Sequence, residues 1–276
     1  MRVALGQLPI SSAPEVNLDR VRLAAASAAS QGVELIVFPE GTQARFSADL
    51  AAVAEPLSGP FCRGLAQAAA SAGLAIVASL FEPAPDGRVY NTTVAYRADG
   101  SRAAVYRKIH LFDALGFVES KTVAPGDEVV IASLAGLRVG FMTCYDVRFP
   151  ELARALAAGG ADLLVLPSAW AAGTFKEEHW VTLIRARAIE NTIWVAAAGQ
   201  VPDPAEPPTT APTGIGRSLL VDPMGVARVD LGPTEGLGIG DVDTEQTARV
   251  RAALPSLANR RTDIWRADPT AAAPAN

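Results

Sequence analysis

Histidine and cysteine are scarce in this chain of 276 residues, which contains 2 of each. Two histidines cannot supply a three-histidine metal centre, and the sequence has no Cys-x-x-Cys pair for zinc. The two cysteines, Cys62 and Cys144, lie far apart in the chain and do not form the framework of a disulfide-rich domain. No metal site is therefore predicted, and a reducing cytoplasm is the expected compartment.

Other signatures are missing as well. The sequence contains no Gly-x-Ser-x-Gly motif, no Walker loop, and no Gly-x-Gly-x-x-Gly motif after a strand, so no cofactor is predicted. A net charge of −5 without a cluster of basic residues argues against nucleic-acid binding. No apolar run is long enough to cross a membrane, and the N-terminal one is too short for a signal peptide. We therefore expect a cytoplasmic protein without nucleic-acid or membrane partners.

Apolar residues are abundant and make up 50% of the chain. This content is enough to form a sizeable core. Apolar runs typical of strands occur at residues 3–8, 34–38, 74–80, 92–96, 137–143, 163–166, 193–198, 218–221 and 238–242. Helical spacing occurs at residues 15–31, 59–72, 151–158 and 176–191. The early alternation of strands and helices, together with a hairpin turn at residues 98–100, predicts an α/β fold with two mixed sheets and helices outside.

No repeat or linker divides the chain, so residues 1–266 are predicted to form a single domain. Residues 267–276, rich in Ala and Pro, are expected to be a flexible tail. The proline-rich segment 202–212 is predicted to be a long loop outside any central strand. Loops of this length often shape a binding site.

Two predicted strands end in residues that can carry chemistry. Strand 34–38 runs into Pro39 and Glu40, and strand 137–143 ends at Cys144. The crevice beyond the carboxyl ends of strands is the usual site of chemistry in α/β sheets, so two strands of one sheet would bring Glu40 and Cys144 together. A third candidate is Lys108, where charged residues follow the strand-like run at 103–106.

Each of these residues also has a structural interpretation. An unpaired cysteine at the end of an apolar strand often packs as a small hydrophobic residue. Glu40 and Lys108, taken singly, are typical of exposed loop positions. Considered one at a time, the residues leave both interpretations open.

Three motifs together resemble the nitrilase superfamily of carbon–nitrogen hydrolases. They are Phe-Pro-Glu at 38–40, Tyr-Arg-Lys-Ile-His-Leu-Phe at 106–112 and Cys-Tyr-Asp-Val-Arg-Phe-Pro-Glu at 144–151, in the order and spacing of that family. The similarity extends from residue 3 to residue 225. It implies a four-layer αββα sandwich, two mixed sheets with outer helices, assembled as a homodimer or higher homo-oligomer through helices beside the active site.

The resemblance also implies catalytic roles. Glu40 would be the general base, Lys108 the oxyanion stabiliser and Cys144 the nucleophile, while Glu119 would hold Lys108 in place and charged. A thiol with its ordinary pKa of about 8.5 is mostly protonated at neutral pH and needs a base or a positive neighbour. Together with Lys108, the main-chain N–H of Tyr145 would stabilise the oxyanion. The expected course is attack of Cys144 on an amide, loss of ammonia to leave a thioester, and hydrolysis.

Within the superfamily, the motifs look most like those of omega-amidases and deaminated-glutathione amidases, which act on small linear amides that bear a carboxylate. Arg148 is a candidate anchor for such a carboxylate, and its alternative is an ion pair with Asp146 or Glu151. The stretch Leu-Pro-Ser-Ala-Trp at 166–170 also resembles that branch.

The resemblance therefore places Tyr145, Ser168 and Trp170 at the substrate-binding site beside Arg148. Residues 171–177 differ from the pattern of that branch, and we expect them to line the pocket. Three alternatives stay open: an N-carbamoyl amine or amino-acid amidohydrolase, a nitrilase, and a catalytically inactive relative that serves as a binding or regulatory subunit.

Overall fold

The computed structural model describes residues 1–263, so the tail expected at 267–276 lies outside the described residues. Its strands are β1 Arg2–Gln7, β2 Leu35–Val37, β3 Ala75–Pro83, β4 Val89–Tyr96, β5 Arg102–Arg107, β6 Asp113–Ala114, β7 Phe117–Val118, β8 Val123–Ala124, β9 Ile131–Leu134, β10 Leu137–Phe141, β11 Leu163–Ser168, β12 Trp194–Gly199, β13 Leu219–Val221, β14 Ala227–Asp230 and β15 Gly236–Asp241. Its α-helices are α1 Pro14–Ala29, α2 Leu50–Val53, α3 Pro60–Ala72, α4 Pro150–Ala158, α5 Lys176–Asn191 and α6 Thr244–Ala253. Two 3₁₀ turns occur, at Glu119–Lys121 and Cys144–Arg148.

Two mixed sheets carry the fold. The first has the order β15-β1-β2-β3-β4-β5, with β8 paired to β4, and the second has the order β14-β13-β12-β11-β10-β9. In each sheet three central strands are parallel, β1-β2-β3 in the first and β10-β11-β12 in the second. Their outer neighbours are antiparallel. Parallel neighbours need crossover connections, and α1, α3, α4 and α5 provide them.

The two sheets pack face to face with helices outside. In β1, Val3 and Leu5 belong to the core shared with the second sheet, whereas Ala4 points to the core under α1 and α3. On the far side, α4 packs on β10 and α5 on β12 and β13. The layers are therefore helices, sheet, sheet, helices, and the predicted four-layer αββα sandwich is confirmed.

Local sequence explains most of the element boundaries. Helices α1, α3 and α4 each begin with proline at the first helical position, where a missing N–H is harmless. Helix α3 ends at Gly73 with a φ of 67°, in the left-handed region that glycine tolerates. Within residues 1–263, no helix combines the length and the apolar character that a membrane crossing requires.

The carboxylate of Glu206 attaches the predicted proline-rich loop to the rest of the domain. Residues 202–212 contain no strand or helix, and Glu206 within them accepts hydrogen bonds from Ser11 at 2.6 Å and from the Ser12 main-chain N–H at 2.7 Å. Arg45 forms an ion pair with Glu206 at 3.2 Å. The hydrogen bonds from Ser11 and Ser12 and the charge of Arg45 lower the pKa of Glu206 to about 2.

We expect Glu206→Gln to lower the free energy of unfolding at pH 7 by about 1–2 kcal/mol, because hydrogen bonds to a charged group are lost. A pKa that folding lowers from 4.5 to about 2 gives stability that is present above pH 4.5 and lost as pH falls towards 2. The deficit of the variant should therefore shrink across that window, measured by urea denaturation at several pH values.

A suitable control is Glu235→Gln, which changes an exposed carboxylate that has no ion pair within the described residues. This variant should match the wild type at every pH. A deficit of Glu206→Gln that stays constant from pH 7 to pH 3 would contradict the assigned role of the charge.

Candidate active site

Cys144 opens a tight turn directly beyond β10. It is the first residue of the 3₁₀ turn Cys144–Arg148, and its φ of 47° lies in a region that non-glycine residues rarely adopt. A capping box closes the turn, in which the Thr143 N–H donates to Asp146 Oδ2 at 2.8 Å and the Asp146 N–H donates to the Thr143 side chain. The turn thus presents the thiol beyond the carboxyl end of the strand.

Asp146 connects this turn to the lysine motif. Its buried carboxylate accepts a hydrogen bond from the Tyr106 hydroxyl at 2.6 Å and one from the His110 N–H at 3.0 Å. The His110 Nδ1 atom lies 2.7 Å from Asp146 Oδ1, and the His110 ring stacks on Phe149 at 3.7 Å. Because Tyr106 and His110 flank Lys108, these contacts fix Lys108 relative to the cysteine turn.

Lys108 lies between two buried carboxylates. Its Nζ atom is 2.9 Å from Glu40 Oε1 and 2.8 Å from Glu119 Oε2, and none of the three residues is more than 2% exposed. Burial by itself lowers the pKa of Lys108, but the charges of Glu119 and Glu40 outweigh it and raise that pKa well above its ordinary value. Lys108 is therefore a permanent cation.

Both carboxylates are held by further donors. Glu40 Oε2 accepts from the Ala169 N–H at 2.8 Å, and Glu119 Oε2 accepts from the Phe112 N–H at 2.6 Å. The Asn91 amide donates to Glu40 at 2.8 Å and to Glu119 at 3.3 Å. The sequence analysis did not identify Asn91 as a site residue. Its only signal in the sequence is that it is a polar residue within a strand, and in the structure it is buried.

The thiol of Cys144 is neutral in this environment. Burial raises its pKa, and the charge of Glu40 raises it further, while Lys108 and the Ser168 hydroxyl lower it to a smaller extent. Within residues 1–263 the buried Ser168 hydroxyl has no other hydrogen-bond partner. A neutral thiol needs a base at the moment of attack, and Glu40 lines the same cleft as Cys144.

Glu40 and Cys144 do not follow strands of one sheet, and that expectation is wrong. Glu40 follows β2 of the first sheet, and Cys144 follows β10 of the second. The two residues meet because the sheets are stacked, with β2 in contact with β11 and β12. Both nevertheless lie beyond strand ends, where chemistry was expected.

A cleft of about 320 Å³, including its opening to solvent, leads to the thiol. Cys144, Glu40, Lys108 and Glu119 all line it. Its walls are largely aromatic and apolar and include Phe46, Phe112, Phe117, Tyr145, Trp170 and Pro212. Pro212 belongs to the loop 202–212, so that loop does shape the site. Among residues 1–263, no group of three or more His, Cys, Asp or Glu side chains could hold a metal ion.

Arg148 occupies a different place from the one expected for a pocket residue. It is absent from the described lining of the cleft, and its guanidinium lies 5.0 Å from the centre of the Trp170 ring. The alternative prediction of an ion pair is wrong, because within residues 1–263 Arg148 pairs with neither Asp146 nor Glu151. Of the other predicted binding residues, Trp170 lines the cleft and Ser168 lies beside the thiol.

Lys176 is a cleft residue that was not named from the sequence. It lies in the segment 171–177, which was expected to line the pocket and does so through Ala171 and Lys176. Lys176 is 4% exposed, and its Nζ atom lies 4.3 Å from the Trp170 ring and 5.2 Å from the Phe112 ring.

The sequence matches a known family along most of its length. The sequence profile of the carbon-nitrogen hydrolase family matches residues 2–252. A hydrolase of Mycobacterium tuberculosis is 42% identical, with 97% of this chain and 98% of that protein covered. The deaminated glutathione amidase of Escherichia coli O157:H7 is 39% identical (95% and 97% covered), and the omega-amidase of Homo sapiens is 33% identical (96% of each covered).

Solved structures agree with this match. Nit3 of Saccharomyces cerevisiae, a member of branch 10 of the nitrilase superfamily, superimposes with a TM-score of 0.83 at 28% identity, covering 95% of this chain and 96% of that one. A variant of the amidase from Nesterenkonia sp. AN1, in which acrylamide has added to the active-site cysteine, gives a TM-score of 0.79 at 28% identity (96% and 98% covered). The chain therefore belongs to the carbon-nitrogen hydrolase family of the nitrilase superfamily and is a hydrolase that acts on carbon–nitrogen bonds.

Proposed function

We propose that the protein is a cysteine-dependent amidase that releases ammonia from a small linear amide bearing a carboxylate. The observation that carries this proposal is the buried, neutral thiol of Cys144, which shares one narrow cleft with Glu40, Lys108 and Glu119. Relatives named deaminated glutathione amidase and omega-amidase match this chain over nearly its whole length. The substrate class is taken from them.

In the first half of the reaction, Glu40 accepts the proton of Cys144 while the sulfur attacks the amide carbon. The carbonyl oxygen becomes an oxyanion, which the Lys108 ammonium and the main-chain N–H of Tyr145 stabilise. As an early residue of the 3₁₀ turn, Tyr145 has an N–H without an acceptor in the helix. Glu40 then passes the proton to the leaving nitrogen, the carbon–nitrogen bond breaks, and ammonia and a thioester result.

In the second half, Glu40 accepts a proton from water, and the resulting hydroxide attacks the thioester carbon. The carbon–sulfur bond breaks and the sulfur recovers a proton, which restores Cys144 and yields a carboxylic acid. Protonation of Glu40 in each half weakens its contact with Lys108, just as charge develops on the substrate oxygen. The ammonium therefore interacts more strongly with the transition state than with the ground state, and this difference is what accelerates a reaction. Glu119 keeps Lys108 charged throughout.

We expect wild-type protein to release ammonia from 2-oxoglutaramate, 2-oxosuccinamate or deaminated glutathione, and Cys144→Ala to release none. The same assay includes a carbamoyl amino acid, a simple aliphatic amide and a nitrile, so that other activities of the family are visible. Ammonia is measured as a function of substrate concentration.

Each outcome of this panel has a distinct meaning. Turnover of only the carbamoyl compound, with carbon dioxide released beside ammonia, would replace the proposed substrate class, as would turnover of only the nitrile. Activity that survives in Cys144→Ala would overturn the proposed nucleophile. If the wild type releases ammonia from none of the compounds and Cys144 does not react with thiol reagents, the protein would instead be a catalytically inactive member of the family.

The role of Glu40 makes a separate prediction. Because the charge of Glu40 raises the pKa of Cys144, Glu40→Gln should lower that pKa and increase the thiolate fraction. Amide hydrolysis should nevertheless fall by about 10²–10⁴-fold, since the base is gone. The pH dependence of iodoacetamide alkylation at Cys144, followed by mass spectrometry, should shift to lower pH in the variant.

Glu82→Gln is the matched control, because Glu82 is a carboxylate that pairs with Arg107 outside the lining of the cleft. It should change neither alkylation nor hydrolysis. An alkylation profile of Glu40→Gln that moves to higher pH, or hydrolysis that persists at the wild-type rate, would rule out the assigned role.

We also propose that residues 1–266 form one catalytic domain that works in the cytoplasm as a homodimer or higher homo-oligomer. Support for the cytoplasm comes from Cys62 and Cys144, which are both free thiols. Support for assembly comes from exposed apolar side chains on and beside α5, namely Ile189, Met224 and Val226.

We expect analytical ultracentrifugation of the wild type to give the mass of at least a dimer. Met224→Glu should weaken the association of the subunits, because it places a charge among these apolar side chains. A monomeric wild type would contradict the proposal.

A further inference from the structure

The cleft contains a second cation that is not part of the catalytic group. Lys176 lines the same cleft as Cys144 and is 4% exposed, yet within residues 1–263 it forms no ion pair and its ammonium donates no hydrogen bond. The ammonium lies over the faces of the Trp170 and Phe112 rings, as a cation–π contact with each. An ammonium has three donors, and aromatic faces satisfy none of them fully.

The lysine is also held firmly in place. It is the first residue of α5, and its main-chain carbonyl accepts a hydrogen bond from Trp170 Nε1 at 2.7 Å. Trp170 is itself almost fully buried and packs on Trp180. A residue whose backbone is fixed in this way can position a ligand with little loss of entropy.

The charges around Lys176 favour an anion. Burial lowers its pKa, and the neighbouring cation Arg148 lowers it further. The Arg148 guanidinium also lies near Trp170, 5.0 Å from the ring centre. The adjacent Glu177 is bound to Arg217 instead of to Lys176. Two cations therefore flank one tryptophan with no carboxylate between them among the described residues, and a bound anion would relieve their repulsion.

We propose that Lys176 binds the carboxylate of the substrate and selects anionic amides over neutral ones. The inference rests on the proposed function and deepens it. Lys176, unlike Arg148, lines the cleft that leads to the thiol. The amide group would lie at Cys144 while the carboxylate at the other end of the substrate meets the ammonium. Arg148 would add to the positive field from outside the cleft.

The test compares two amides of similar length, glutaramate, which is anionic, and pentanamide, which is neutral. Lys176→Met keeps the apolar stem against the rings but removes the charge. It should lower kcat/KM for glutaramate by about 30–100-fold, chiefly through KM, as expected when one partner of a buried ion pair is removed. For pentanamide the change should stay within about threefold, and Lys176→Arg should restore most of the activity on glutaramate.

Two controls accompany this comparison. Lys121→Met removes an exposed lysine and should leave both amides unaffected. Arg148→Met should reduce activity on glutaramate less than Lys176→Met does. Equal losses on the anionic and the neutral amide would show that Lys176 only supports the structure, and that result would overturn the inference, as would unchanged kinetics on glutaramate.

A readout without turnover separates this inference from the proposed function. Glutarate should protect Cys144 of the wild type from iodoacetamide, and Lys176→Met should need at least about tenfold more glutarate for the same protection. If the wild type hydrolyses no carboxylate-bearing amide, the proposed function fails while the protection assay still decides the role of Lys176. Protection that is absent in the wild type, or equal in the variant, would overturn the role of Lys176.

Discussion

The buried ion group of Glu40, Lys108 and Glu119 is the interaction on which the rest of the site depends. Each member comes from a separate element: the end of β2, the end of β5, and the 3₁₀ turn at Glu119–Lys121. Charges this deeply buried are tolerated only when each is paired and hydrogen-bonded, so the three elements must keep their positions relative to one another. The Ala169 N–H bond to Glu40 extends the constraint to β11 and thus to the second sheet. The ion group therefore holds the two sheets together at the site.

Asp146 is the second point at which the sheets are connected. It belongs to the turn that begins with Cys144, yet its carboxylate accepts hydrogen bonds from Tyr106 and His110, the residues on either side of Lys108. This geometry explains why the tyrosine, lysine and histidine occur two residues apart in the motif. The outer two residues hold the turn that begins with Cys144, and the central one carries the charge. One set of contacts thus fixes the position of Cys144 relative to Lys108.

Two groups of charges line the cleft. Near the thiol lie two carboxylates and one lysine, and burial together with the charge of Glu40 keeps Cys144 protonated. Lys176 lines the same cleft and lacks a counter-ion among the described residues. Under the proposed function, a substrate with a neutral amide at one end and a carboxylate at the other would meet both groups. The cleft walls are largely aromatic and apolar, and such surroundings strengthen charge interactions.

The sequence alone indicated the central strands, four of the helices and the candidate catalytic residues. Apolar periodicity located these elements, and the resemblance of three motifs to a known family pointed to Glu40, Lys108 and Cys144, because both signals lie in short stretches of consecutive residues. It did not determine that Glu40 and Cys144 follow strands of different sheets, nor did it identify Asn91 and Lys176. Those facts depend on contacts between segments far apart in the chain, such as the amide of Asn91 with Glu40 at a separation of 51 residues. Only the stacking of the two sheets decides which buried polar groups meet.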